Sequence, residues 1–172
     1  MFAAISVVLV YIVRFPLIPT APFLEYDMAD VPIILCTLLL GTGSGLTVLI
    51  AACAVQAMTV SAASGWIGFV MHLCATAVLV LTVSLIFKKS GRKTSGLVVG
   101  LIAGAVAMTL VMIPLNLVFT GIFMGTGTDV VAKMLVPAII PFNLAKAGIN
   151  CVLSGVLFFP IKMIFDRVYK QK

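Results

Sequence analysis

Charge is what this chain has least of. Only 9% of its 172 residues are Asp, Glu, Lys or Arg, against about 25% in an average soluble domain. The excess lies in hydrophobic residues, at 63%, and mean hydropathy reaches +1.30. A water-soluble fold could not hide that much apolar surface, so the composition points to an integral membrane protein of one domain. The apolar runs are continuous and do not alternate with period two, which favours helices over a barrel. One histidine, His72, excludes a His-rich metal site. The four cysteines, Cys36, Cys53, Cys74 and Cys151, form no C-x-x-C pair and sit in apolar segments as small hydrophobes. They leave the redox compartment open. Also missing are H-E-x-x-H, a Ser-His-Asp set in recognisable context, paired intramembrane carboxylates and a phosphate loop with its Gly-Lys-Ser/Thr ending. Gly41-Thr42-Gly43-Ser44-Gly45 lacks that ending and reads as a tight turn. Enzymatic chemistry, bound cofactors and a built-in energy source therefore have no support.

The few charges present are sorted. Lys88, Lys89, Arg92 and Lys93 share one loop, and Lys162, Arg167, Lys170 and Lys172 share the C-terminus. Glu25, Asp27, Asp30 and Asp129 fall in other loops. Eight of the eleven basic residues thus fall on one side, which marks it as cytoplasmic. No aromatic spacing among them suggests nucleic-acid binding. The chain reads as a single membrane domain, 1–172, with six transmembrane helices at about 2–14, 32–40, 44–60, 66–87, 96–119 and 136–165. Both termini are then cytoplasmic, and 15–31 forms an outer loop that folds back over the bundle. The first apolar run, Phe2 to Val13, is short for a full span. Either the start is late and a leader is missing, or the helix is partly inserted. A signal peptide is rejected because no basic region precedes the run and no A-x-A site follows. Asp30 is expected to cap the second helix with Pro32 in its first turn. Ser61 to Gly65 reads as a small-residue turn, Trp66 as an interfacial anchor, Pro114 as a kink and Gly121 to Lys133 as a loop.

Polar groups inside apolar runs carry the functional signal. A lysine at the centre of a membrane helix costs roughly 2.5 kcal/mol or more and normally faces a bundle interior. Lys146 is such a residue, although it could snorkel to the outer surface. Asn143 and Asn150 share its helix face at i−3 and i+4. Asn143 is read toward a ligand and Asn150 toward helix–helix bonding. Asn116 could satisfy a carbonyl freed by Pro114 or point into a cavity. Gln56 and Thr59 default to structural bonds, and His72 could meet a carbonyl or a ligand. The methionines 58, 71, 108, 112 and 124 read as gap fillers.

Longer stretches resemble a known family. Pro22-Phe23-Leu24-Glu25-Tyr26-Asp27-Met28-Ala29-Asp30-Val31-Pro32 resembles the loop after the first helix in the riboflavin-specific S components, of the RibU type, of energy-coupling factor (ECF) transporters. Ile140-Pro141-Phe142-Asn143-Leu144-Ala145-Lys146 is similar to that family's last-helix motif, and Met112-Ile113-Pro114-Leu115-Asn116 to its fifth-helix stretch. The resemblance implies a six-helix S-component bundle in a prokaryotic plasma membrane that binds riboflavin from outside as a transported ligand. Its implied partners are a transmembrane coupling protein and two cytoplasmic ABC ATPases. It implies ligand contacts from Asn116, Asn143 and Lys146, and a lid from Phe23, Leu24, Tyr26 and Asp27. Gln56, Trp66 and His72 are additional candidates. Ala3 and Ala4 would dock the coupling protein, on a small-residue surface that is only partial because Val7 and Val8 follow. Family members often carry a Lys-Asn pair where this chain reads Val55-Gln56-Ala57-Met58, which leaves room for a flavin analogue. With only Arg14 and Lys133 as basic groups at the outer side, the unphosphorylated vitamin is preferred over FMN. The alternatives are another small vitamin or a self-sufficient secondary transporter. The latter would need a repeat, broken helices or intramembrane acids, and only the Pro114 break is present.

Overall fold

Lipid offers backbone amides no partner, so the apolar segments close their hydrogen bonds internally as helices. The computed structural model describes residues 1–170 apart from Thr20, Ser61 and Ala63. Ser61 and Ala63 of the expected small-residue turn, and Lys172 of the basic C-terminal cluster, lie outside the described residues.

Six helical stretches form the bundle. They are α1 (Phe2–Ile12), α2 (Asp30–Leu40), α3 (Thr42–Met58) and α4 (Gly65–Lys89), followed by two compound helices. Helix α5 runs Thr94–Leu115, widens into a π-type turn at Asn116–Thr120 and closes with Gly121–Met124. Helix α6 runs Thr128–Met134, widens at Leu135–Ile139 and continues as Ile140–Lys170. At 1.5 Å per residue, the 25 residues of α4 span about 37 Å, more than the ~30 Å hydrocarbon core. By length and composition α4, α5 and α6 are able to cross a membrane, whereas α1, α2 and α3 are shorter. Helix α2, with 11 residues, reaches only about 16 Å. It packs against α1, α3, α4 and α6, and residues 30–38 are all buried. It therefore serves as the centre of the bundle.

The expected ends shift where the local chemistry was misjudged. Helix α1 stops at Ile12, and the outer loop contains two short strands, β1 (Arg14–Pro16) and β2 (Glu25–Asp27). They pair antiparallel, Arg14 opposite Asp27 and Phe15 opposite Tyr26. The loop expected at Gly121 to Lys133 shrinks to three residues between α5 and α6, because Gly125 takes a left-handed conformation (φ 64°) that ends one helix sharply. Gly41, at φ 99°, performs the same break between α2 and α3. Asp30 is not a cap. Ala29 precedes the helix, and its N–H donates to Asp27 Oδ1 (3.0 Å) in a local turn. That leaves the Asp30 carboxylate free to turn inward.

Small residues set the tightest helix pair. Gly100 and Gly104 of α5 lie against α4, where a Cβ on Gly104 would sit 2.8 Å from Val83 Cγ2 and 3.2 Å from the Leu79 carbonyl. Backbone contact of this closeness is how membrane helices associate without a hydrophobic drive. Gly104→Leu is expected to destabilise the bundle by about 1–3 kcal/mol or more through overpacking. Gly148→Leu, where a Cβ meets nothing within 4 Å, should be tolerated. Thermal unfolding in detergent compares the two.

Phe87 near the end of α4 meets Phe158 of α6 edge-on, centroids 5.7 Å apart, with Lys162 over the Phe158 ring. The basic α4–α5 loop and the α6 terminus therefore share one end, the cytoplasmic one. The strand pair closes the other.

Candidate ligand cavity

A cavity of about 370 Å³ opens beneath the strand pair, within the range of small-molecule sites. Phe23, Leu24, Ile67, Met71, Met108 and Phe142 give it apolar walls. Its polar lining comes from every long element: Gln56 of α3, His72 of α4, Asn116 and Thr120 of α5, and Asn143 and Lys146 of α6. Asp27 and Glu25 line it from β2 of the lid, and Arg14 from β1.

The charges inside this lining are mutually paired. Lys146 Nζ donates to Asp27 Oδ2 at 2.6 Å. Arg14 Nε donates to Glu25 Oε2 at 2.6 Å, and its guanidinium also reaches the Val60 carbonyl two residues past α3. His72 Nε2 lies 3.1 Å from Asp30 Oδ1, which places the ring hydrogen on that nitrogen. The lysine anticipated as a ligand contact is thus held by a lid carboxylate.

The amides divide into satisfied and unsatisfied groups. Asn116 Nδ2 donates to the Met112 carbonyl (2.8 Å), and its Oδ1 accepts from Thr120 Oγ1 (2.8 Å). Asn143 Nδ2 donates to the Ile139 carbonyl (2.8 Å), but its Oδ1 has no partner. Gln56 Nε2 is likewise without one. These are the two such buried side-chain atoms among the described residues, and both belong to residues that line the cavity. An orphaned buried polar group costs roughly 1–3 kcal/mol, a cost that an incoming ligand can remove.

Two of the expected residues lie elsewhere, and Asn150, read toward structural bonding, lies outside the cavity as well. Tyr26 does not line the cavity: it is buried under the lid, and its hydroxyl donates to Asn150 Oδ1 at 2.9 Å. Burial, helped by the Asp27 charge, pushes that phenol above its usual value and keeps it a donor. Trp66 is 61% exposed and edge-on to Phe119, away from the cavity, because its place in the first turn of α4 turns it outward. Asn150, third member of the α6 polar stripe, is fully buried outside the cavity. Ala3 and Ala4 lie at the opposite end of α1 from the lid, Ala4 exposed and Ala3 half-buried.

Sequence reasoning missed the centre of the site. Asp30 Oδ1 also accepts from Thr76 Oγ1 (2.7 Å), and Asp30 Oδ2 from Asn150 Nδ2 (3.2 Å). This carboxylate, fully buried, ties α2 to α4 and α6 directly behind the cavity. The only signal was an acid beside a short apolar helix, which reads equally well as a cap.

The family model for the substrate-specific component of ECF transporters matches residues 1–158. The chain is 26% identical to the riboflavin transporter RibU of Streptococcus thermophilus, over 96% of this chain and 82% of that protein. It is 29% identical to the riboflavin transporter FmnP of Bacillus subtilis, over 94% and 88%. Its fold is similar to the solved S component of a bacterial ECF transporter, with a TM-score of 0.82 at 28% identity, covering 96% of this chain and 93% of the other. The six-helix bundle, the roofed cavity and these matches together show that the chain belongs to the substrate-specific components of ECF transporters.

Proposed function

We propose that this subunit captures riboflavin outside the cell and hands it to a separate energising module of a transmembrane coupling protein and two ABC ATPases. The observation that carries the substrate is the unpartnered pair on two residues that line the cavity, a buried donor on Gln56 and a buried acceptor on Asn143, beside its apolar walls. Riboflavin offers the complement: an imide edge with one N–H between two carbonyls, a ribityl chain of hydroxyls and an apolar dimethylbenzene end. Asn143 Oδ1 is suited to the imide N–H, while Gln56 and Lys146 can donate to carbonyls or hydroxyls. The matched relatives are riboflavin transporters by name, which supports the same choice.

Charge argues for the unphosphorylated vitamin. Arg14 and Lys146, the cations at the cavity, are neutralised by Glu25 and Asp27. A phosphate entering there would meet two carboxylates and no unpaired cation among the described lining residues. Titration of the purified, detergent-solubilised protein, followed by quenching of flavin fluorescence, is expected to show saturable nanomolar binding of riboflavin and weaker binding of FMN. Asn143→Leu should weaken riboflavin roughly 10- to 100-fold, the loss of one buried hydrogen bond with its partner left unsatisfied. A colourless protein with no quenching into the high micromolar range would overturn riboflavin as the substrate.

A further inference from the structure

One α6 side chain outside the cavity makes three bonds, two to the lid and one to the start of α2. Asn150 Oδ1 accepts from the Tyr26 hydroxyl (2.9 Å). Its Nδ2 donates to the Asp27 backbone carbonyl (3.1 Å) and to Asp30 Oδ2 (3.2 Å). Both its side-chain polar atoms are engaged with β2 and the start of α2, and it is fully buried. It stands one helical turn beyond Lys146, which grips the Asp27 side chain from the same face. Asp27 is thus held by its carboxylate and its carbonyl at once. Beside it, Ser6 Oγ of α1 donates to the Ala29 carbonyl at 2.6 Å. The other limb of the lid is held differently. Between the strands the chain makes short-range turn bonds, Ala21 N to the Ile18 carbonyl and Leu24 N to the Ala21 carbonyl. Its apolar side chains, Ala21 and Leu24 with Leu17 and Phe23, rest on Val131, Ile139 and Phe142 of α6.

We propose that Asn150 is a positioning residue for capture: it touches no ligand but sets how often the lid lifts, by keeping β2 where Asp27 meets Lys146. The proposal rests on the cavity being the riboflavin site. Its kinetic consequence is specific. The three bonds lie outside the cavity, so they form whether it is empty or filled and hold the lid closed equally in both states. Entry and exit both need the lid to lift. Weakening the bonds then accelerates both and leaves the equilibrium nearly unchanged.

The test compares wild type with Asn150→Leu, which keeps bulk and removes all three bonds, and with the milder Tyr26→Phe, which removes one. Stopped-flow flavin quenching should show association and dissociation both faster by roughly 10-fold in Asn150→Leu, equivalent to about one net hydrogen bond. Kd should stay almost constant. Tyr26→Phe should move both rates the same way by less. Hydrogen exchange on the ligand-free protein should show faster exchange at 22–28 in both variants, with α4 and α5 unchanged. A Kd that rises at an unchanged association rate would overturn the proposal by making Asn150 a ligand contact. Faster exchange throughout the bundle would overturn it by making Asn150 a general structural bond. If wild type binds no riboflavin, the substrate reading fails, and exchange at 22–28 still decides whether Asn150 holds the lid.

Discussion

Replacing Lys146 with methionine should lower riboflavin affinity roughly 10- to 100-fold, as expected for losing a hydrogen bond from a charged donor, and should also destabilise the empty protein. The second effect follows from the pair that Lys146 makes with Asp27. Both side chains are mostly buried, 12% and 15% exposed, with their charged atoms 2.6 Å apart. Removing the ammonium leaves the carboxylate in a largely apolar setting with the Ala29 N–H on its other oxygen. Breaking a buried pair from one side costs about 3–5 kcal/mol, somewhat less here because the lid admits some solvent. The double variant Lys146→Met with Asp27→Asn separates the two roles. It carries no unpaired charge, so its thermal stability in detergent should return close to wild type. Its riboflavin affinity should stay low if Lys146 donates to the ligand. Recovery of affinity together with stability would mean that Lys146 serves only to neutralise Asp27.

Much of the architecture was legible because a bilayer leaves few choices. Continuous apolar runs must be helices, and basic loops mark the cytoplasmic end. Both readings depend on composition over ten or more residues, which a sequence displays directly. The same holds for the α6 stripe, where Asn143, Lys146 and Asn150 share a face by spacing alone. Asn143 and Lys146 line the cavity, and Asn150 is structural as read, but spacing could not show that its partners are the lid and the start of α2. Those partners, Tyr26, Asp27 and Asp30, lie more than a hundred residues earlier. Asp30 was misread for a related reason. Locally it has the residue type and position of a helix cap, but its three partners come from α4 and α6. The widened turns at Asn116–Thr120 and Leu135–Ile139 were also invisible. A π-type turn has no strong residue preference, yet here the first holds Asn116 at the cavity with both ends of its amide occupied. The Gly100–Gly104 contact could have been suspected from its four-residue spacing, but only the packed α4 backbone shows which face it serves.

Asp30→Leu should be among the most damaging single substitutions in the chain. The Asp30 carboxylate is fully buried and accepts from Thr76, His72 and Asn150. Leucine has similar bulk but leaves a hydroxyl, a ring N–H and one amide hydrogen without an acceptor, with Thr76 and Asn150 fully buried and His72 mostly so. Unsatisfied groups of this kind cost roughly 1–3 kcal/mol apiece, and breaking a buried charged network from its centre typically costs about 3–5 kcal/mol in all. That approaches the whole stability of an ordinary domain, so Asp30→Leu is expected to lose most of its folded yield or unfold at much lower temperature. Asp30→Asn gives the contrast. It keeps the shape and one acceptor oxygen, so Thr76 and His72 can retain a partner. The new amide faces Asn150 Nδ2, donor to donor, so that bond is lost. Its cost should be about 1–2 kcal/mol, near that of one unmade hydrogen bond. The lid should feel this variant too, because Asn150 then lacks one of its three anchors while Tyr26 and the Asp27 carbonyl remain. Thermal unfolding should therefore rank wild type, Asp30→Asn and Asp30→Leu in that order, with hydrogen exchange in Asp30→Asn rising first at 22–28. Equal stability of the leucine and asparagine variants would show that the carboxylate contributes only its volume to the centre of the bundle.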